Sequence, residues 1–126
     1  MKLTYLLFIF LQISLFADNS PANILFLVGE RLNSSTVSMP AWAASLENKF
    51  NYKTEYISIP KYGSATDLNK IKKADLLIIY LRFRNIPKKQ IALINKHLDS
   101  GKPAIALRTS SHAFTNQTSW FYKYFG

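Results

Sequence analysis

Residues 74–114 read ADLLIIYLRFRNIPKKQIALINKHLDSGKPAIALRTSSHAF, and this stretch decides the fold. Asp75 to Tyr80 is almost wholly apolar, the pattern of a strand buried on both faces of a parallel sheet. Pro87 opens a helix in which Ile91, Ile94 and Leu98 recur at helical spacing while Lys88, Lys89, Lys96 and Asp99 cover the other side. Gly101 stops the helix, Pro103 forbids its continuation, and Ala104 to Leu107 forms the next strand. A strand, a crossover helix and a second strand imply parallel pairing. Their carboxyl-end loops carry Arg82, Phe83 and Arg84 on one side and Arg108, Thr109, Ser110, Ser111 and His112 on the other.

Working outward, Asn23 to Val28 (NILFLV) is a further continuous apolar run between Pro21 and Gly29. Gly29-Glu30-Arg31 would begin the loop at its carboxyl end. Ser38 is a candidate N-cap with Pro40 in the first turn, and Ala41 to Lys49 follows, with Trp42, Leu46 and Phe50 four residues apart as an inward stripe. Thr54 to Ile59 alternates polar and apolar residues as a strand with one face less covered. The segment from Ala65 to Lys73 reads as a short helix with Leu68 and Ile71 facing inward. The order β-α-β-(α)-β-α-β predicts an α/β fold, a three-layer doubly wound parallel sheet of flavodoxin-like type, with strand order 2-1-3-4.

The start of the chain has a different logic. Met1-Lys2, the apolar run Leu3 to Phe16 and then Ala17-Asp18 make the layout of a signal peptide over residues 1–17, removed after Ala17, so that residues 18–126 form one domain. The run is shorter than the roughly 20 apolar residues of a membrane span. The expected location is therefore periplasmic or secreted, and the membrane enters only through an uncleaved leader. There is no cysteine, hence no disulfide framework and no thiolate nucleophile.

A net charge of +9 is compatible with anionic partners. Its lysines fall on exposed helix faces and element ends with no nucleic-acid motif beside them, so no nucleic acid is expected. The two histidines, His97 and His112, lie in no metal-ligand spacing, and no cofactor motif is present; neither metal nor cofactor is expected.

Asn23 to Glu30, Ser38-Met39-Pro40 and above all ADLLIIYLRFRNIP and GKPAIALRTSSHAF resemble the secreted branch of the ThuA-like (trehalose-utilisation) family. That resemblance implies the class I glutamine amidotransferase-like fold. Members of the family continue well past the Trp-containing segment that Trp120 to Gly126 resembles in its opening, which implies an N-terminal portion of the domain with its C-terminal part missing. Glutamine amidotransferases of this fold place a cysteine where this chain has Arg108, Thr109 and Ser110, so Cys-dependent glutaminase chemistry is excluded.

The candidate site residues follow from strand-end placement. Arg82, Arg84 and Arg108 offer guanidinium forks for a carboxylate, phosphate or sulfate, with Glu30, Thr109, Ser110 and Ser111 as polar partners; equally, one or two of the arginines pair with Glu30 or Asp75 and only hold the loops in place. His112 is the candidate for proton transfer, since imidazole is the side chain suited to acid-base work at neutral pH, although a loop histidine bound to backbone is the simpler reading. If the strand extends through Arg84, Arg82 and Arg84 point one way and Phe83 the other. The expected ligand is a small polar molecule, a carbohydrate or its acidic derivative. Two alternatives remain: a non-catalytic binding or interaction module, or a non-functional truncated remnant.

Overall fold

The computed structural model describes residues 20–30 and 34–126. The leader reading of residues 1–17 and the middle of the loop after Glu30 lie outside the described residues. Four strands form one all-parallel sheet: β1 (Asn23–Gly29), β2 (Lys53–Ser58), β3 (Leu76–Leu81) and β4 (Ala104–Ala106), in the order β2-β1-β3-β4. The pairing aligns Asn23 with Lys53, Ile24 with Leu76 and Leu77 with Ala104. Helix α1 (Ser35–Phe50) connects β1 to β2, α2 (Lys88–Asp99) connects β3 to β4, and α3 (Trp120–Phe125) follows. The chain is thus an α/β domain with helices on both faces of the sheet.

Strand alternation sorts the core into two layers. Leu25, Leu27, Ile57, Leu77, Ile79 and Leu81 face one way and pack with Ile91 and Ile94 of α2, with Leu68 and Ile71, and with Trp120 of α3. Ile24, Phe26, Val28, Ile78 and Tyr80 face the other way against Ala43, Met39, Trp42 and Leu46 of α1. Both faces of β1 and β3 are therefore buried, which is why these strands read as unbroken apolar runs. β2 lies at one edge, and its alternation survives because Thr54, Tyr56 and Ser58 are only partly covered.

Several local expectations are corrected. α1 begins at Ser35, so Ser38 is no N-cap and Pro40 lies inside the helix. The Ser35 hydroxyl donates to the Glu30 carbonyl and ties the helix start to the end of β1. Phe50 is no core residue: it is 62 % exposed, since the helix ends there and Asn51 adopts the left-handed conformation that turns the chain into β2. The stretch before β3 is a 3-10 segment, Leu68–Lys73, with Leu68 and Ile71 buried as the pattern requires. Residues Arg108–His112, expected as open loop, form a second 3-10 turn. β3 stops at Leu81 and Phe83 has φ 49°, so simple alternation across Arg82, Phe83 and Arg84 does not hold.

Candidate functional site

The sheet changes direction between β1 and β3: one connection leads to β2 and the other to β4. Loops diverge at such a point and leave a crevice at the carboxyl ends of the strands. A cleft of about 650 Å³ opens there, lined by Val28 and Gly29 of β1, Glu30 just after it, Thr36 from α1, Tyr56 to Lys61 along and beyond β2 with the exception of Ile57, and Arg82 and Arg84 after β3.

The Arg82-Phe83-Arg84 loop is held from both sides. Phe83 N–H donates to the His112 carbonyl (2.7 Å) and Arg84 N–H to the Ala113 carbonyl (2.7 Å), while Thr115 N–H returns a bond to Arg84 (3.0 Å). On the other flank Asn85 N–H donates to Lys61 (2.8 Å) and Gly63 N–H to Asn85 (3.2 Å). A backbone pinned this way leaves little loop freedom to be lost on binding.

Those side chains converge on the end of β1. Arg84 Nε donates to the Arg82 carbonyl at 2.8 Å and crosses directly over Gly29. A Cβ on Gly29 would stand 2.9 Å from Arg84 Nε and 2.9 Å from a Leu81 methyl, so this glycine is needed for close approach. Arg82 Nε lies 3.8 Å from a carboxylate oxygen of Glu30, and its guanidinium sits 4.8 Å from the centre of the Phe83 ring. Glu30 is only 5 % exposed. Among the described residues Lys61 joins Arg82, Arg84 and Glu30 in lining the cleft.

The residues expected to share the site do not all meet there. Glu30, Arg82 and Arg84 line the cleft; Arg108, Thr109, Ser110, Ser111 and His112 do not. Ser110 is fully buried: its hydroxyl donates to the Ile79 carbonyl (2.8 Å) and accepts from Leu81 N–H (3.2 Å). It continues the β3 ladder where β4 has ended, which is a structural task and leaves no hydroxyl for a ligand. Thr109 reaches toward the Leu81 carbonyl at 3.4 Å, extending the same edge. Ser111 Oγ and His112 Nδ1 lie 2.9 Å apart, beside Phe83, whose ring centre is 5.6 Å from that of His112. Arg108 is exposed at φ 39°. Among the described residues no group of three His, Cys, Asp or Glu side chains is placed to hold a metal.

Thr36, Tyr56, Ser58 and Lys61 were not foreseen as site residues. The signal was present: alternation in TEYIS places Thr54, Tyr56 and Ser58 on one face, and the 2-1-3-4 order puts the end of β2 beside the end of β1. No protein-family model, curated protein or solved structure matches this chain.

Proposed function

We propose that the chain is a secreted or periplasmic ThuA-like domain, of flavodoxin-like and class I glutamine amidotransferase-like architecture, whose cleft binds a small anionic polar ligand such as an acidic carbohydrate derivative. The observation that carries this reading is the convergence of Arg82, Arg84 and Lys61 on a switch-point cleft in which, among the described residues, Glu30 supplies the one carboxylate. Two guanidinium groups on a pinned loop suit a carboxylate or phosphate, and Tyr56, Ser58 and Thr36 supply a ring face and hydroxyls for the remainder of a sugar-like molecule. Because His112 does not line the cleft, binding without turnover is better supported than a reaction in which His112 moves a proton on the same ligand.

The test is an amide chemical-shift titration of the full chain with glucose, gluconate, glucose phosphate and inorganic phosphate. The acidic members should perturb Gly29, Glu30, Lys61 and Arg84, and glucose should not. Arg84→Ala should weaken that binding by about 10- to 100-fold, the usual loss for one charge-assisted hydrogen bond. Gly29→Ala, which leaves every cleft charge in place but crowds Arg84, should weaken it as well. Equal response to glucose and gluconate, or binding indifferent to Arg84→Ala, would remove the anion reading.

A further inference from the structure

The opposite end of the sheet has its own character. Register places Ala22, Lys53, Asp75 and Pro103 together at the amino ends of the strands: Lys53 N–H donates to Ala22 (3.0 Å), Asp75 N–H to Asn23 (2.8 Å) and Leu77 N–H to Pro103 (3.2 Å). Crossover helices run against the strands they connect, so α1 and α2 finish at this same end. Here α1 terminates in Lys49 and Phe50, the chain reverses at Asn51, and Tyr52 and Lys53 follow. Phe50 is 62 % and Tyr52 39 % exposed, with ring centres 6.3 Å apart. An aromatic pair bracketed by two lysines is thus presented to solvent at a turn tip.

Lys72, Lys73, Lys96 and Lys102 extend the positive charge along this end toward β4, and all four are exposed. Carboxylates are present too, but each is engaged locally. Glu47 accepts from the Thr54 N–H (3.0 Å) and hydroxyl (2.8 Å), Asp75 accepts from Asn23 N–H (2.9 Å), and Asp99 pairs with Lys123 (3.5 Å). The four strands span roughly 15 Å at their usual spacing, and the lysines and the aromatic pair lie at the same end of the sheet, on its two sides. Ser20, the first described residue, stands three residues before β1 and hence at this end.

We propose that this amino-end face docks on an anionic lipid surface, with Phe50 and Tyr52 entering the headgroup layer and Lys49, Lys53, Lys72, Lys73, Lys96 and Lys102 meeting the lipid phosphates. Amphipathic rings settle at the membrane interface, and lysines near an anionic leaflet add attraction that falls off within a Debye length. Such docking turns the carboxyl-end cleft away from the lipid, toward solvent. It does not depend on what the cleft binds.

The absence of cysteine in the chain allows a direct test on the full chain. Asn48→Cys, exposed in the last turn of α1, and Tyr62→Cys, exposed at the carboxyl end, each carry an environment-sensitive fluorophore. Vesicles of phosphatidylcholine containing phosphatidylglycerol should shift the emission at position 48 to the blue and leave position 62 unchanged. High salt should reverse the shift. Adding Lys49→Gln or Lys53→Gln should weaken vesicle partitioning about fivefold for each lysine, and Phe50→Ser with Tyr52→Ser should abolish the blue shift. Equal responses at positions 48 and 62, silence at position 48, or an equal response with pure phosphatidylcholine, as attachment through Leu3 to Phe16 alone would produce, would overturn the proposal.

Discussion

Ser110 stands where β4 runs out of backbone with which to pair β3. Odd-numbered residues of β3 direct their N–H and C=O toward β4: Leu77 donates to Pro103, and Ile79 accepts from Leu107. Leu81 comes next on that edge and meets the Ser110 hydroxyl (3.2 Å) in place of a main-chain carbonyl. Ser110→Ala should therefore cost about 1–3 kcal/mol, the desolvation penalty of one orphaned buried donor, because Ile79 keeps its bond from Leu107 while Leu81 N–H loses its acceptor. Urea denaturation measures this, and ligand titration of the folded variant should be unaltered. Ser110 follows a strand end beside another serine and a histidine, a setting that suggests a ligand contact, and nothing in the residue order distinguishes a hydroxyl turned into the sheet from one turned toward the rim.

Helix α3 is short, so tertiary packing has to hold it. Trp120 is 4 % exposed, sits edge-on to Phe114 with ring centres 5.0 Å apart, and donates its indole N–H to the Asn95 side chain of α2 at 2.7 Å. Phe121, Tyr124 and Phe125 add partly buried surface around it. Trp120→Ala should destabilise the domain by about 3–5 kcal/mol, as for other large aromatic truncations in a core, and should release α3, seen as loss of amide protection from residue 120 onward. Asn95→Ala should cost less, because it removes the hydrogen-bond acceptor and leaves the ring packing intact. At this scale the sequence was legible wherever period and punctuation agreed, as in α2 with Pro87 before it and Gly101 after it. It misled in α1, where Pro40 suggested a helix start that the contact between Ser35 and Glu30 moves upstream.

For the whole molecule, pH dependence centres on His97, buried on α2 where the helix covers the sheet. Burial pushes its pKa below the ordinary imidazole value, the Lys102 ammonium adds to this, and the Pro103 and Ile71 carbonyls and Asp75 oppose it. The unfolded chain accordingly takes up this proton first. The resulting stability is complete above the unfolded value of about 6.5 and is lost as pH falls through that value toward the depressed folded one. Urea midpoints should decline from about pH 7.5 to about pH 5, and His97→Gln should flatten the decline; an equal decline in both proteins would place its origin elsewhere. The wider fold was set out by the sequence itself. Unbroken apolar runs in β1 and β3 demand a sheet covered on both faces, and Pro and Gly mark the crossover that makes it parallel, because periodicity and backbone sterics are local properties. Membership of the cleft was decided only in three dimensions. Strand register carries Ser58 to the end of β1 and Lys61 beside Asn85 after β3, backbone bonds with residues 112–115 pin the arginine loop, and Gly29 clears the path for Arg84, while Ser110 turns inward to complete the ladder. These are contacts between residues far apart in the chain, and their free energy exists only once the sheet has assembled.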